Sequence, residues 1–427
     1  MAIATADDGP DAATGAAPVL GLTLKQQLRR SLRARKVRAL MLVLPLLAFV
    51  LITFLMPIGD MLFRSVENQI VPDTLPRTVV ALGDWDPTSG EAPGEPVFAG
   101  LYEDLVAAVA ARAHTRLGSR LNYENAGASG LFRKTGRDVV RMDPALPFKE
   151  QFIEVDPDWG RPGIWQTIQL FSGPYTSGYL LNAVDLQRTP EGVEPKAANE
   201  RIYIRLFIRT LAMSLTITAF CALLGYPVAY LLASLPMRTS NLLMILVLLP
   251  FWTSLLVRTA SWKVLLQQQG VINDLLVWSG LISNAGRLVM INNATGTIIA
   301  MTHILLPFMI LPLYSVMKGI SPSYVRAAKS LGANDWTAFW RVYFPQSVPG
   351  LGAGGILVFI LSIGYYITPE LVGGTSGIFI SNRIAFHIST SLNWGLAAAL
   401  ATLLLVIVLA LYWTYDRVVG IDNVKLN

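Results

Sequence analysis

The stretch Gly127-Ala-Ser-Gly-Leu-Phe-Arg-Lys-Thr135 has the outline of a loop that cradles phosphates, with glycines that free backbone N–H groups and a lysine that follows. Such a loop needs a glycine directly before its lysine, and Arg133 stands there, so nucleotide binding is not expected. Cys221 is the single cysteine; it permits no disulfide within the chain and lies in an apolar run, where packing is its expected role. His114, His303 and His387 are too scattered for metal-ligand spacing. Catalytic residues and metal ligands are therefore not expected. What remains is recognition chemistry. Trp252, Thr253 and Ser254 follow Pro250, and Tyr365 and Tyr366 follow Gly364, all within apolar segments. Aromatic faces attract a cation by about 0.5–2 kcal/mol each, and Asp274 and Glu370 would add charge attraction. These seven residues are the candidates for contact with a small solute. The competing expectation for the aromatics is the belt of Trp and Tyr at membrane interfaces. Arg258, just past an apolar segment, is expected to snorkel or pair with an acid rather than bind solute.

The elements that carry these residues follow from composition. Of 427 residues, 53% are hydrophobic and only 15% are charged, against about 25% charge in a soluble domain. This excludes a disordered chain, a nucleic-acid-binding protein and most cytosolic enzymes. The fold class expected is an all-α, multi-pass membrane protein. A spanning helix needs about 20 mostly apolar residues, and six stretches qualify: 39–57, 210–233, 239–257, 294–316, the uncharged stretch between Arg341 and Glu370, and 394–415. Pro250 is expected to interrupt the third, and Pro307 and Pro312 the fourth. Breaks of this kind free carbonyls that are tolerated only against protein or a cavity.

Lys25, Arg29, Arg30, Arg33, Arg35, Lys36 and Arg38 crowd before the first span with no acid among them. Short basic flanks stay in the cytoplasm, so residues 1–38 are expected inside. Six crossings then return the tail 417–427, with Arg417 and Lys425, to the same side. Span 1 (39–62) leads to a large external insert, 63–205, rich in charge, Pro and Gly; long translocated regions escape the charge rule. Its residues 102–117 show helical apolar spacing (Leu105, Val106, Val109, Ala110), and 159–179 reads as either a packed cap or a docking face. A core, 206–416, carries spans 2–6 and a cytoplasmic loop, 317–345.

In that loop Ser321-Pro322-Ser323 opens a helix, Gly332 ends it, and Asn334 or Asp335 caps a second helix expected to expose Trp336, Phe339 and Trp340. Pro345 marks re-entry into the membrane. The run Arg326-Ala-Ala-Lys-Ser-Leu-Gly332, with Val342 ten residues on, then Phe344-Pro345, resembles the coupling motif of bacterial ABC importer permeases: Glu-Ala-Ala, three residues, Gly, nine residues, a β-branched residue, one residue, Leu-Pro. Ala327, Ala328, Gly332, Val342 and Pro345 fall in register; Phe344 takes the Leu position and Arg326 the Glu position. Residues 250–266, 306–313 and 364–374 are similar to spermidine/putrescine-type permeases, although these often carry an acid where Tyr365 stands.

The resemblance implies a six-span permease bundle with a large periplasmic insert, in the bacterial inner membrane. It implies a path for spermidine, putrescine or another small organic solute or metal ion. It also implies that the loop, through Arg326, Ala327, Ala328, Gly332, Trp336, Phe339 and Pro345, docks on a dimer of a cytoplasmic ABC ATPase. ATP and Mg would be bound there, and no cofactor by this chain. The further partners implied are a second permease, similar but non-identical (a homodimer being the alternative), and a periplasmic solute-binding protein. A receptor sensing through the insert would need a cytoplasmic output domain, and an ion-driven transporter would usually need an acid within its spans; neither is present in the sequence.

Overall fold

The computed structural model describes residues 24–419. The expectations for residues 1–23 and 420–427, Lys425 included, concern residues outside those described. Contacts divide the chain into residues 1–60 and 61–427. In the first unit, α1 (Leu24–Val50) runs through a π turn (Leu51–Leu55) into α2 (Met56–Arg64). Pro57 has no N–H, and its ring crowds the carbonyl four residues back, at Thr53; the π turn lies there. Lys36–Arg64 is long and apolar enough to cross a membrane, with mean hydropathy 2.8.

The second unit opens with the insert: α3 (Ile70–Thr74), α4 (Pro76–Ala81), α5 (Glu95–Ala110), α6 (His114–Leu121), α7 (Ala128–Asp138), α8 (Phe148–Val155), α9 (Pro162–Leu170) and α10 (Gly178–Ala183). An antiparallel hairpin follows, β1 (Leu186–Thr189) on β2 (Gly192–Pro195), with Leu186 opposite Pro195. Apart from this hairpin, the described elements are helical, in keeping with the all-α expectation. The single helix expected over 102–117 is two helices. Arg112 takes a left-handed φ of 55°, and Ala113 N–H reaches back to the Ala108 carbonyl, so α6 turns and brings Leu117 and Leu121 into the same core as Leu101 and Leu105. Residues 159–179 form a packed cap. Trp159 and Trp165 are fully buried; the Trp159 indole N–H donates to Thr135 Oγ1 (2.9 Å) and the Trp165 indole N–H to the Trp159 carbonyl (2.8 Å). Burial of such rings stabilises by about 1.5–3 kcal/mol each, and it leaves neither indole N–H unpaired.

The bundle comprises α11 (Tyr203–Ser234), α12 (Met237–Leu248), α13 (Leu255–Leu265), α14 (Val271–Trp278), α15 (Ala294–Gly319), α16 (Pro322–Ser330), α17 (Asp335–Ala338), α18 (Phe344–Gly364), α19 (Ile367–Val372), α20 (Ile380–Ser389) and α21 (Trp394–Val419). Among the described residues, four stretches of the bundle are long and apolar enough to span, beside Lys36–Arg64. A sixth candidate, Met237–Trp252 with Leu255–Leu265, is bent by 94°. Pro250 thus breaks its span as expected, within a 3-10 turn. Pro307 and Pro312 do not break theirs: α15 is helical throughout. It is clamped between α11 and α18, with Met301, Leu305, Met309 and Leu313 buried. Gly350 and Gly354 of α18 let that helix approach the backbone of α15, where a Cβ would meet the Pro312 and Met309 carbonyls. Hydroxyls in α11 bond their own helix, Thr210 to Leu206 O and Thr218 to Ser214 O, both at 2.8 Å, which satisfies them without water. Cys221 is buried against α15, its thiol directed at the Thr302 carbonyl.

The insert and bundle are interlocked. Asp185 Oδ1 accepts from the backbone N–H groups of Ile202 and Tyr203, and Oδ2 from that of Ile204, capping α11. Tyr179 and Ala183 of α10 share an apolar cluster with Tyr203, Phe207, Ile380, Leu396 and Leu400.

Candidate functional site

Two chain breaks lie side by side. At the first, the 3-10 turn ends at Trp252, Thr253 is extended, and Ser254 Oγ accepts the Val257 N–H (3.2 Å) to start α13. Trp252 is 77% exposed. At the second, α18 stops at Gly364, Tyr365 is extended, and α19 begins at Ile367. α13 and α19 meet through the Thr259 and Thr368 hydroxyls, 3.1 Å apart.

The carbonyls freed at the second break have donors. Ser381 Oγ donates to Tyr365 O (2.6 Å), and Asn382 Nδ2 donates to Tyr366 O (2.9 Å) and to Glu370 Oε2 (2.6 Å). Tyr366 is exposed, whereas Tyr365 is half-buried against the bundle core. The structure therefore brings Tyr365, Tyr366 and Glu370 together, and sets the Trp252–Ser254 break on the neighbouring helix pair. Asp274 is engaged elsewhere, on α14, in an ion pair with Arg287 (2.7 Å). Of the two expectations for Arg258, pairing with an acid is not met, since it has no ion pair among the described residues; its Nε is buried without a hydrogen bond. Trp262 donates its indole N–H to His303 Nδ1 (3.1 Å). Sequence reasoning missed Ser381, Asn382, Thr259 and Thr368. A signal existed for Asn382: it stands three residues after Phe379 at a helix start, and its Oδ1 accepts the Phe379 N–H (2.9 Å), as the N3 side chain of a capping box does.

The second cluster is the elbow after α15. Ser321 Oγ accepts the Ser323 N–H at the start of α16. Gly332, with φ of 90°, ends it, while the N–H groups of Gly332 and Ala333 reach the carbonyls of Lys329 and Ala328. Asn334 Oδ1 then accepts the Thr337 N–H (2.7 Å) and caps α17; Lys329 pairs with Asp335 across the bend. Leu331 is 90% exposed and Trp336 72%, and Arg326 and Ala327 are exposed beside them, with Ala328 half-buried.

Phe339 differs from expectation. It is half-buried, edge-on to Tyr226 and Tyr230 of α11 at 6.1 and 5.9 Å. No helix break precedes Pro345. α17 passes through a π turn (Phe339–Tyr343) into α18, and Asp335–Gly364 forms one 30-residue span candidate. Pro345 has no N–H, and its ring crowds the carbonyl four residues back, at Arg341; the π turn lies there. The elbow is thus one end of a rod whose other end is the Tyr365 break.

Among the described residues, several helices long and apolar enough to cross a membrane, one of them leading out of an exposed elbow, define a polytopic membrane protein. Residues 203–419 match the binding-protein-dependent transport system inner membrane component family, and this chain belongs to that family. It is 34% identical over 222 residues to the spermidine/putrescine transport system permease protein PotB of Escherichia coli (strain K12), covering 51% of this chain and 80% of that one. Against PotB of Haemophilus influenzae the identity is 35% over 226 residues, 53% and 78% of the two chains. The inner membrane ABC transporter permease protein YdcU of Escherichia coli (strain K12) is 32% identical over 225 residues, 50% and 71%. The chain is a multi-pass inner-membrane permease subunit of an ABC importer, which works with a binding protein and leaves ATP hydrolysis to a separate ATPase.

Proposed function

We propose that this chain forms half of the solute path of an ATP-driven importer for spermidine, putrescine or a similar small solute. The observation that carries the reading is the Gly332 elbow joined without interruption to α18, beside similarity to PotB over 80% of that protein. In this reading the elbow (Arg326, Ala327, Ala328, Gly332, Trp336, with Phe339 and Pro345 anchoring it) sits in a cleft on an ATPase dimer that holds ATP and Mg. Closure there pushes the rod, and the rod shifts the break at Tyr365 and Tyr366. Six crossings, the bent pair counted as one, leave both termini in the cytoplasm and residues 63–205 outside, where the insert meets the solute-binding protein. A second, similar but non-identical permease completes the path. Trp252, Thr253, Ser254, Tyr366 and Glu370 line this half of it, with Tyr365 behind them.

Tyr365 in place of an acid, and Asp274 neutralised by Arg287, favour a solute of lower charge than spermidine as the second reading. The experiment is ATP hydrolysis by the complete complex in lipid, with its binding protein, across a panel of amines. Stimulation by spermidine or putrescine supports the first reading, stimulation by monoamines alone the second, and indifference of hydrolysis to every amine rejects both.

A further inference from the structure

α20 is only ten residues long, and each end is bonded to a different part of the molecule. At its start, Ser381 and Asn382 hold the Tyr365 and Tyr366 carbonyls and the Glu370 carboxylate. At its end, buried His387 is 3.0 Å from the Tyr203 hydroxyl through Nε2 and 2.8 Å from Ser391 Oγ through Nδ1. Its ring lies edge-on to Tyr123, which follows α6 of the insert, at 6.2 Å. Tyr203 belongs to the first turn of α11, which Asp185 of the insert caps. Between the two ends, Ile380 and Ile384 pack with Tyr179 and Leu396, and the Ile380 N–H donates to Thr210 Oγ1 (2.9 Å). A ten-residue helix is about 15 Å long, so no slack separates the insert from the path break. A rotation of α20 that relieved one end would strip hydrogen bonds from the other.

We infer that α20 is a strut by which the insert holds the α18–α19 break in place, with Asn382 the positioning residue at its path end. The inference rests on the permease reading. Asn382 acts through the Tyr366 backbone and Glu370, and whatever displaces the insert displaces both. The helix thereby gives an event on the outer surface a direct mechanical route to the far end of the rod that starts at the elbow.

The test uses the complete transporter in lipid, with paired spin labels at Ser119→Cys on the exposed side of α6 and Gly364→Cys, where a Cβ has open space. Cys221 is buried and stays in place. In the otherwise unaltered chain the label-to-label distance is expected to be narrow and equal before and after trapping with ATP and vanadate. Asn382→Ala is expected to broaden it and to lower spermidine moved per ATP by about threefold or more, with basal ATP hydrolysis retained. A merely structural role would lower uptake and hydrolysis together. If Asn382→Ala does not assemble, Ser381→Ala, which removes the Tyr365 clamp alone, is read in the same way. An unchanged distance distribution and unchanged coupling in the variant overturn the strut, as does a distance that shifts on trapping in the unaltered chain. A complex that traps no nucleotide overturns the permease reading, and the strut with it.

Discussion

Glu370 follows the chain break at Tyr365 and Tyr366 on α19, and only one of its oxygens is held by Asn382. Glu370→Gln keeps an acceptor for that bond and removes the charge alone. Spermidine uptake at low external concentration is expected to fall about fivefold, the equivalent of about 1 kcal/mol for a charge pair in solvent-like surroundings; unchanged uptake removes Glu370 from the path. His387 lies between two spans and titrates in an unusual range. Burial first, and the neighbouring Arg383 second, push it down to about 4 from an ordinary 6.5. Tyr203 and Ser391 bond its ring and Tyr123 faces it. The unfolded chain therefore takes up a proton between those two values that the folded chain refuses. The stability contributed is full above pH 6.5 and lost as the pH falls towards 4. Thermal melts of the purified permease should show a midpoint falling across that window, and His387→Gln should flatten the slope. An equal slope in the variant would sink this assignment.

At the scale of elements, the elbow depends on Gly332. Its φ of 90° is left-handed and no atom lies near a Cβ built there, so Gly332→Ala carries a purely conformational cost of about 1–2 kcal/mol. The expected result is weaker co-purification of the ATPase with little change in the permease melt. The two aromatics of the elbow should separate in the same assay. Trp336→Ala removes an exposed ring and should reduce ATPase association alone. Phe339→Ala removes the ring wedged against Tyr226 and Tyr230 and should lower the melting temperature as well. Equal behaviour of the two would contradict the division of labour. The elbow's start, bend and second cap were all legible in the sequence, because Ser321-Pro322, Gly332 and Asn334 act on backbone groups within four residues. The intact helix through Pro307 and Pro312 was not. Local sequence records the lost N–H groups, whereas the packing of α15 between α11 and α18 that keeps it helical comes from residues about 80 positions before and 50 after.

For the whole molecule, the insert is part of the machine's frame. Its Tyr179 ring covers Gly395 so closely that a Cβ would strike it, and its Asp185 caps α11. Deleting residues 70–196 would uncap a spanning helix and confound any test of partner docking. Gly395→Val is the milder probe: it should push α10 off α21 and raise protease cleavage within the insert, while the bundle remains folded. Unaltered cleavage would mean that the insert is held independently of that contact. The sequence by itself determined that the chain is a membrane bundle with a helix–glycine–helix elbow and a polar insert, because span length, charge and turn chemistry are local quantities. Only the tertiary structure decided that 159–179 is a packed cap, that Asp274 is spent on Arg287, and that His387 meets Tyr203 from 184 residues away. The physical reason is that burial and hydrogen-bond partnership depend on what another part of the chain brings alongside, and hydropathy or spacing at one position carries no record of it.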